Sequence, residues 1–266
     1  MSTTAIFGAG VMGEALLSGL LRGKYSSENL IVAERRPERA AELTAKYKLK
    51  VVSNLEAAKA ADTLVIVVKP QDMGALLNEI ASEITPDTLV ISLAAGITTA
   101  FLESHLPAGA AVVRVMPNTP ALVDQGMSAL TAGVNCTPEG LERACELLAA
   151  VGKVITVPEK YQDAVTAISG SGPAYIFYVV EAMIEAGVVL GLPRTTAHEL
   201  VVQTVFGAAT MLRETGEHPT VLRENVTSPA GTTAAALREL DDHKVRAAFI
   251  TAMEAARDRS SELAAG

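Results

Sequence analysis

The sequence predicts an α/β fold in two parts, an N-terminal, mostly parallel sheet covered by helices and an all-helical C-terminal domain. Three observations predict it. Short, wholly apolar runs alternate with amphipathic or alanine-rich stretches through the first half, the pattern of parallel strands buried on both faces. A glycine-rich turn directly follows the first of these runs. Beyond Pro158 the strand texture stops and only helix-length segments remain. The boundary therefore falls between residues 1–157 and 158–266.

Each element has its own signal. Ala5–Phe7, Leu30–Ala33, Val51–Val52, Leu64–Val68, Leu89–Leu93 and Val112–Met116 are the apolar strand candidates. Helices are predicted near Met12–Arg22, Pro37–Tyr47, Leu55–Ala60, Met73–Ile84 and Thr98–His105. Ser128–Thr131 and Lys153–Val157 extend the sheet at its edge, with a helix over Pro138–Val151 between them. The second part reads as helices over Gln162–Ile168, Gly172–Leu190, Arg194–Thr215, Thr220–Asn225, Pro229–Leu240 and Lys244–Leu263. Gly191 and Pro193 mark a stop and a restart. Ser171-Gly172-Pro173 and Ser228-Pro229 each read as a serine-capped helix start.

Composition narrows the function classes. The formal net charge of −8 argues against a nucleic-acid partner, because phosphate affinity rests on clustered Lys and Arg. Two cysteines make no disulfide framework, and four scattered histidines give no zinc-ligand spacing, so no metal is expected. The N-terminus runs into a strand without a signal-peptide pattern, and a reduced, cytoplasmic setting is the expectation. Ala174–Leu192 resembles a membrane span, but Glu181 and Glu185 interrupt it. Each carboxylate would cost about 3 kcal/mol at a bilayer centre, so a buried or interfacial helix is expected and no membrane.

Gly8-Ala9-Gly10-Val11-Met12-Gly13 fits G-x-G-x-x-G between a strand and a helix. Glycines there permit a tight turn and close approach to a pyrophosphate, which the helix amides then hold. This is the pattern of a Rossmann-type dinucleotide-binding domain. At the end of the second strand Glu34 suits ribose hydroxyls and NAD, whereas Arg35 and Arg36 suit a 2′-phosphate and NADP, and the residues leave that choice open. Val68-Lys69-Pro70-Gln71 and Ala94-Ala95-Gly96 stand at the carboxyl ends of later strands, where open α/β sheets bind ligands. Asn118, in the loop Met116–Pro120, is the first choice of partner for a nicotinamide amide.

In the helical part, Ala230-Gly231-Thr232-Thr233 follows Ser228-Pro229 as an unusually bare helix start. Its orphan amides suit a carboxylate, although capping by Ser228 explains the same residues. No lysine occurs between Lys160 and Lys244, which argues against Schiff-base chemistry there.

The segments GAGVMGEAL, VVKPQDM, SLAAGIT, VMPNTP, DAVTAISGSGPAYIF and SPAGTTAAALREL, in this order, resemble pyrroline-5-carboxylate reductases over nearly the whole chain. Ala230 departs from the second glycine usual in that family. The resemblance implies NAD(P)H-dependent reduction of 1-pyrroline-5-carboxylate to L-proline, the final step of proline biosynthesis. It implies cofactor contacts at Phe7, Gly8, Ala9, Gly10, Val11 and Met12, an adenine contact at Asn54, and later contacts at Val68, Lys69, Pro70, Ala94, Ala95 and Gly96. It places the substrate at Ser228, Gly231, Thr232 and Thr233, with Thr233 as the candidate proton relay. It also implies a homodimer formed by the helical part, assembled further into a decamer. The competing readings are another two-domain NAD(P)-dependent dehydrogenase, which would need the missing lysine, and a non-catalytic nucleotide-sensing protein.

Overall fold

The computed structural model describes residues 2–23 and 25–265. Eight strands form one sheet: β1 (Thr4–Phe7), β2 (Leu30–Ala33), β3 (Lys50–Val52), β4 (Thr63–Ile66), β5 (Leu89–Ser92), β6 (Ala111–Met116), β7 (Gly126–Ala132) and β8 (Gly152–Thr156). Their order is β3-β2-β1-β4-β5-β6-β7-β8. All neighbours run parallel except β6 and β7, which a short 3-10 turn at Thr119–Val123 joins as an antiparallel pair. The chain thus winds outward in both directions from β1 and β4, and a crevice opens at their carboxyl ends, where the connections diverge.

The apolar runs become strands because their neighbours bury both faces. Along β1, Ala5 and Phe7 pack into one cluster and Ile6 into the other, the alternation of a pleated strand. One face is covered by α1 (Val11–Arg22), α2 (Pro37–Tyr47) and α6 (Pro138–Ala149), through Leu16, Leu17, Leu20, Leu43 and Leu147 among others. The other is covered by α3 (Asn54–Ala60), α4 (Pro70–Ile80) and α5 (Thr99–Ser104), with Met73, Leu76, Leu77 and Leu102 fully buried. Two differences from the expected boundaries bear on the site. β4 stops at Ile66, so Val67 and Val68 leave the ladder. α4, expected from Met73, begins earlier at Pro70, where the missing N–H of proline costs nothing.

The second part is helical throughout: α7 (Gln162–Val165), α8 (Gly172–Val189), α9 (Arg194–Thr215), α10 (Pro219–Asn225), α11 (Thr232–Asp242) and α12 (Val245–Ala265). Two compact units result, residues 1–171 with 256–266, and residues 172–255. The strand texture ends at Thr156, but the first unit continues through α7 and takes back the last turns of α12. Asp163 on α7 accepts hydrogen bonds from Ser260 (2.7 Å) and Ser261 (2.8 Å) of α12.

The cap expected at Ser171 is absent. Ser171 is itself helical (φ −84°, ψ −18°), and its N–H reaches back to the Thr166 carbonyl across a π-helical turn at Thr166–Gly170. α8 nonetheless begins at Gly172 as expected, with Pro173 in its first turn, and the turns from Glu159 to Val189 follow one another as a single run. That run is long and apolar enough to cross a membrane, by length and composition alone.

Within residues 172–255 the buried apolar core is small: Ile184, Ala197 and Val201, flanked by Val180 and Val205. Much of the apolar surface of α8 and α9 is instead exposed, including Phe177 (66%), Tyr178 (74%) and Phe206 (65%). Exposed apolar area of that extent marks an association surface.

Candidate active site

The glycine turn is built from the first two strands. Gly8 has φ +88°, a conformation that only glycine adopts without strain, and a Cβ there would lie 3.0 Å from the Val67 carbonyl oxygen. At Gly13 a Cβ would come within 2.2 Å of the Gly8 carbonyl oxygen, so α1 sits directly on the turn. Gly10 is different. It precedes α1 with no side-chain cap, and a Cβ built there would meet nothing within 4 Å. The space beside Gly10 is thus open, and no side chain caps the first amides of α1.

That space is a cavity of about 600 Å³ at the carboxyl ends of β1, β2, β3 and β4. It brings together Gly8, Gly10, Glu34, Arg35, Arg36, Asn54, Val68 and Lys69 of the residues singled out from sequence. It also takes in Gln71 of the same strand-end segment, and adds Val67 and Asp72, which sequence reasoning left out. Among those singled out but not lining it, Phe7 and Ala9 are fully buried and offer only backbone. Val11 and Pro70 are exposed at helix starts, and Met12 is half-buried. Ala94, Ala95 and Gly96 follow β5, the first buried and the second exposed. A helix N-terminus fronted by empty space, with glycines where side chains would clash, fits a dinucleotide pyrophosphate.

The charges around the cavity are not equally free. Glu34 accepts Nε (3.1 Å), Nη2 (3.1 Å) and the backbone N–H (2.9 Å) of Arg36, and its carboxylate lies 3.4 Å from the Ala9 amide. Burial works to raise the Glu34 carboxyl, but the Arg36 hydrogen bonds outweigh it and hold the group below its usual range. Arg35 is exposed and makes no ion pair or hydrogen bond among the described residues. Asn54 is buried, its amide nitrogen donating to Glu79 at 2.8 Å.

Asn118 has another occupation. Its carbonyl oxygen accepts the Met127 N–H at 2.8 Å, and its amide nitrogen donates to the Ser169 carbonyl (3.2 Å) and hydroxyl (3.3 Å). Ser169 stands four residues before Pro173, which has no N–H to give it. The asparagine supplies the donor that proline lacks.

In the helical unit, the expected helix start at Pro229 is displaced. α11 begins at Thr232 with Gly231 as its N-cap and no side-chain cap. Ser228 instead opens a tight turn in which the Gly231 N–H donates to its carbonyl at 3.0 Å. Ala230 sits in that turn at φ +55°, a left-handed conformation incompatible with a helix. The Gly231 amide is therefore spent, and the free amides at this tip are those that follow it, on Thr232 and Thr233. The Ser228 hydroxyl lies over Gly231, where a Cβ would meet it at 2.3 Å. Ser228 and Thr232 are exposed and Thr233 is half-buried. The hydroxyls of Ser228 and Thr233 have no hydrogen-bond partner among the described residues. The hydroxyls of Ser228, Thr232 and Thr233 and the uncapped amides after Gly231 gather hydrogen-bond donors at one helix tip, the arrangement that suits a small anion.

Among known proteins, the model of the pyrroline-5-carboxylate reductase dimerisation family matches residues 159–263. A curated pyrroline-5-carboxylate reductase of Corynebacterium melassecola is 49% identical over 99% of both chains. The chain belongs to the pyrroline-5-carboxylate reductase family. The solved reductase of Coxiella burnetii covers 98% of each chain at 37% identity with a TM-score of 0.94. That of Plasmodium falciparum, solved with NADP bound, covers 99% of this chain and 98% of its own at 31% identity and a TM-score of 0.89. Residues 3–96 also match a family described as NADP oxidoreductase, coenzyme F420-dependent. Residues 159–263 are thus the family's dimerisation region, and its exposed apolar surface accords with that description.

Proposed function

We propose that this protein reduces 1-pyrroline-5-carboxylate to L-proline with NADPH, accepting NADH as an alternative, as the last step of proline biosynthesis. The observation that carries the reading is the uncapped tip of α11, an anion receptor in a chain matched end to end by reductases of that name. Residues 1–157 hold the dinucleotide and residues 158–266 hold the substrate and the second subunit.

The dinucleotide supplies a hydride. Gly8 and Gly10 give it close approach, the first amides of α1 hold its pyrophosphate, and Glu34, Arg35, Arg36, Asn54 and Lys69 surround its adenosine end. The loop Ala94–Gly96 is the later strand-end contact, and Asn118 shapes the neighbouring loop through Ser169. The Ser228 hydroxyl and the amides of Thr232 and Thr233 bind the substrate carboxylate and so orient the ring. Reduction of the C=N bond makes its nitrogen basic, and the Thr233 hydroxyl relays a solvent proton to it, taking one from water as it gives up its own. No strong acid is required for that step.

The same helical surface supports a homodimer and, beyond it, a decamer. A second subunit is the better cover for the α8 face than a membrane, because Glu181 and Glu185 lie within it. A cytoplasmic setting agrees with free thiols at Cys136 and Cys145.

The test is oxidation of NADPH and NADH by purified protein with pyrroline-5-carboxylate as acceptor. Thr233→Ala is expected to lower turnover by roughly tenfold or more with cofactor affinity unchanged. Cofactor binding without acceptor-dependent oxidation would favour the nucleotide-sensing reading, and turnover only with an unrelated carbonyl would favour another dehydrogenase.

A further inference from the structure

The glycine turn is held from behind by a residue with no part in the reading so far. Arg39, in the first turn of α2, donates Nε to the Ala9 carbonyl at 3.1 Å. Its other two nitrogens bond Glu42 (2.9 Å) and Glu14. Glu14, in the first turn of α1, also takes Lys46 Nζ at 2.9 Å and the Tyr47 hydroxyl at 2.8 Å. Ala9 is fully buried, and its own N–H faces Glu34. Two successive peptides of the turn are therefore clamped by side chains from outside it.

Holding a carbonyl has a directional consequence. In a trans peptide the C=O and the following N–H point in opposite directions, and the structure contains no cis peptide among the described residues. Fixing the Ala9 oxygen toward Arg39 turns the Gly10 N–H away from α2. Gly10 lines the cavity and has open space before it. A cation bonded to the carbonyl also polarises that peptide and strengthens its N–H as a donor. The placement works against the helix that carries it, since a cation in the first turn meets the positive end of the dipole. Lysine would serve a simple ion pair equally well, whereas only a guanidinium fork reaches a carbonyl and two carboxylates at once.

We infer that Arg39 is a positioning residue that aims the Gly10 amide at the pyrophosphate of the bound dinucleotide, with Glu14 and Glu42 fixing its fork. The inference rests on the proposed use of this turn to bind NAD(P)H. Because both nicotinamide cofactors share the pyrophosphate, Arg39 governs affinity for either and the choice between them for neither.

Arg39→Gln and Arg39→Lys, titrated with NADPH and with NADH by the fluorescence of the reduced nicotinamide, test it. Arg39→Gln is expected to raise both dissociation constants by the same factor, about tenfold. Turnover at saturating cofactor and KM for the pyrroline substrate stay at the wild-type values. Arg39→Lys, which keeps the charge but loses the planar fork, recovers part of the loss. A parallel fall in turnover and substrate binding would show a purely structural role and overturn the inference, as would unchanged cofactor affinity or a change in the NADPH-to-NADH ratio. Wild-type protein that bound neither dinucleotide would instead remove the underlying reading of the turn.

Discussion

Replacing Gly231 by alanine separates substrate binding from folding at the tip of α11. Gly231 has φ −78° and ψ 175°, a conformation open to any residue, so the backbone stores no strain there. The added Cβ lies 2.3 Å from the Ser228 hydroxyl and 3.1 Å from the Ser228 carbonyl oxygen. The carbonyl needs to give by only a few tenths of an ångström, but the hydroxyl must turn to another rotamer. That adjustment costs on the order of 1 kcal/mol, and the stiffer unfolded chain returns about half of it. Stability should hardly change.

The hydroxyl, however, leaves its place over Gly231, at the tip that carries the free amides of Thr232 and Thr233. A hydrogen bond to a charged carboxylate contributes about 1.5–3 kcal/mol, so KM for pyrroline-5-carboxylate should rise by roughly ten- to a hundredfold with turnover little changed. The assay is steady-state kinetics on Gly231→Ala, Ser228→Ala and the double variant, with thermal melts alongside. With the hydroxyl already removed the methyl has nothing to displace, so the double variant should match Ser228→Ala. Multiplying losses, or an unchanged KM in either single variant, would refute the assignment of Ser228 to the carboxylate.

Arg35 is unpaired beside the cavity, whereas Arg36 is spent on Glu34. Arg35→Ala should therefore weaken NADPH by about tenfold and leave NADH nearly unchanged, with a smaller effect from Arg36→Ala, as measured by cofactor titration. Ala230→Gly should relieve the left-handed strain of about 1 kcal/mol and lose part of it to chain entropy. A melting temperature higher by roughly 1–2 °C, with unchanged kcat/KM, is the expected result. Lys46, with further bonds from Arg39 and Tyr47, overcomes burial and holds the Glu14 carboxyl at about 2 against the ordinary 4.5. Its contribution is complete above pH 4.5 and fades as pH falls toward 2. The difference in unfolding free energy between wild type and Glu14→Gln should accordingly be flat near neutrality and shrink on the acid side, at about 1 kcal/mol after allowance for solvent screening.

Much of the site was legible because its signals are local. The turn at Gly8–Gly13 sits between a strand and a helix that are contiguous with it in sequence, and the acid ending β2 lies at its expected distance. One helix start was misread where a local cue was overridden. Ser228-Pro229 has the composition of a cap and first helical residue, but Ala230 turns left-handed and α11 begins only at Thr232. Ser171-Gly172-Pro173 reads as a serine-capped helix start, and α8 does begin at Gly172, but the Ser171 N–H bonds the Thr166 carbonyl across a π-helical turn and no cap forms. Asn118, distant in the chain, donates to the Ser169 carbonyl, to which Pro173 has no N–H to offer.

The sequence by itself determined the two-part plan, the strand and helix alternation, the glycine turn and the membership of a reductase family, because periodicity and motif are properties of neighbouring residues. Only the tertiary structure decided which charges remain free. Arg36 is neutralised by Glu34, Arg35 is not, and Arg39 reaches across 30 residues to hold the Ala9 carbonyl. Those partnerships depend on how α2 lies against α1 and β2. No spacing along the chain encodes that packing, because the directions in which side chains meet are set by the fold as a whole.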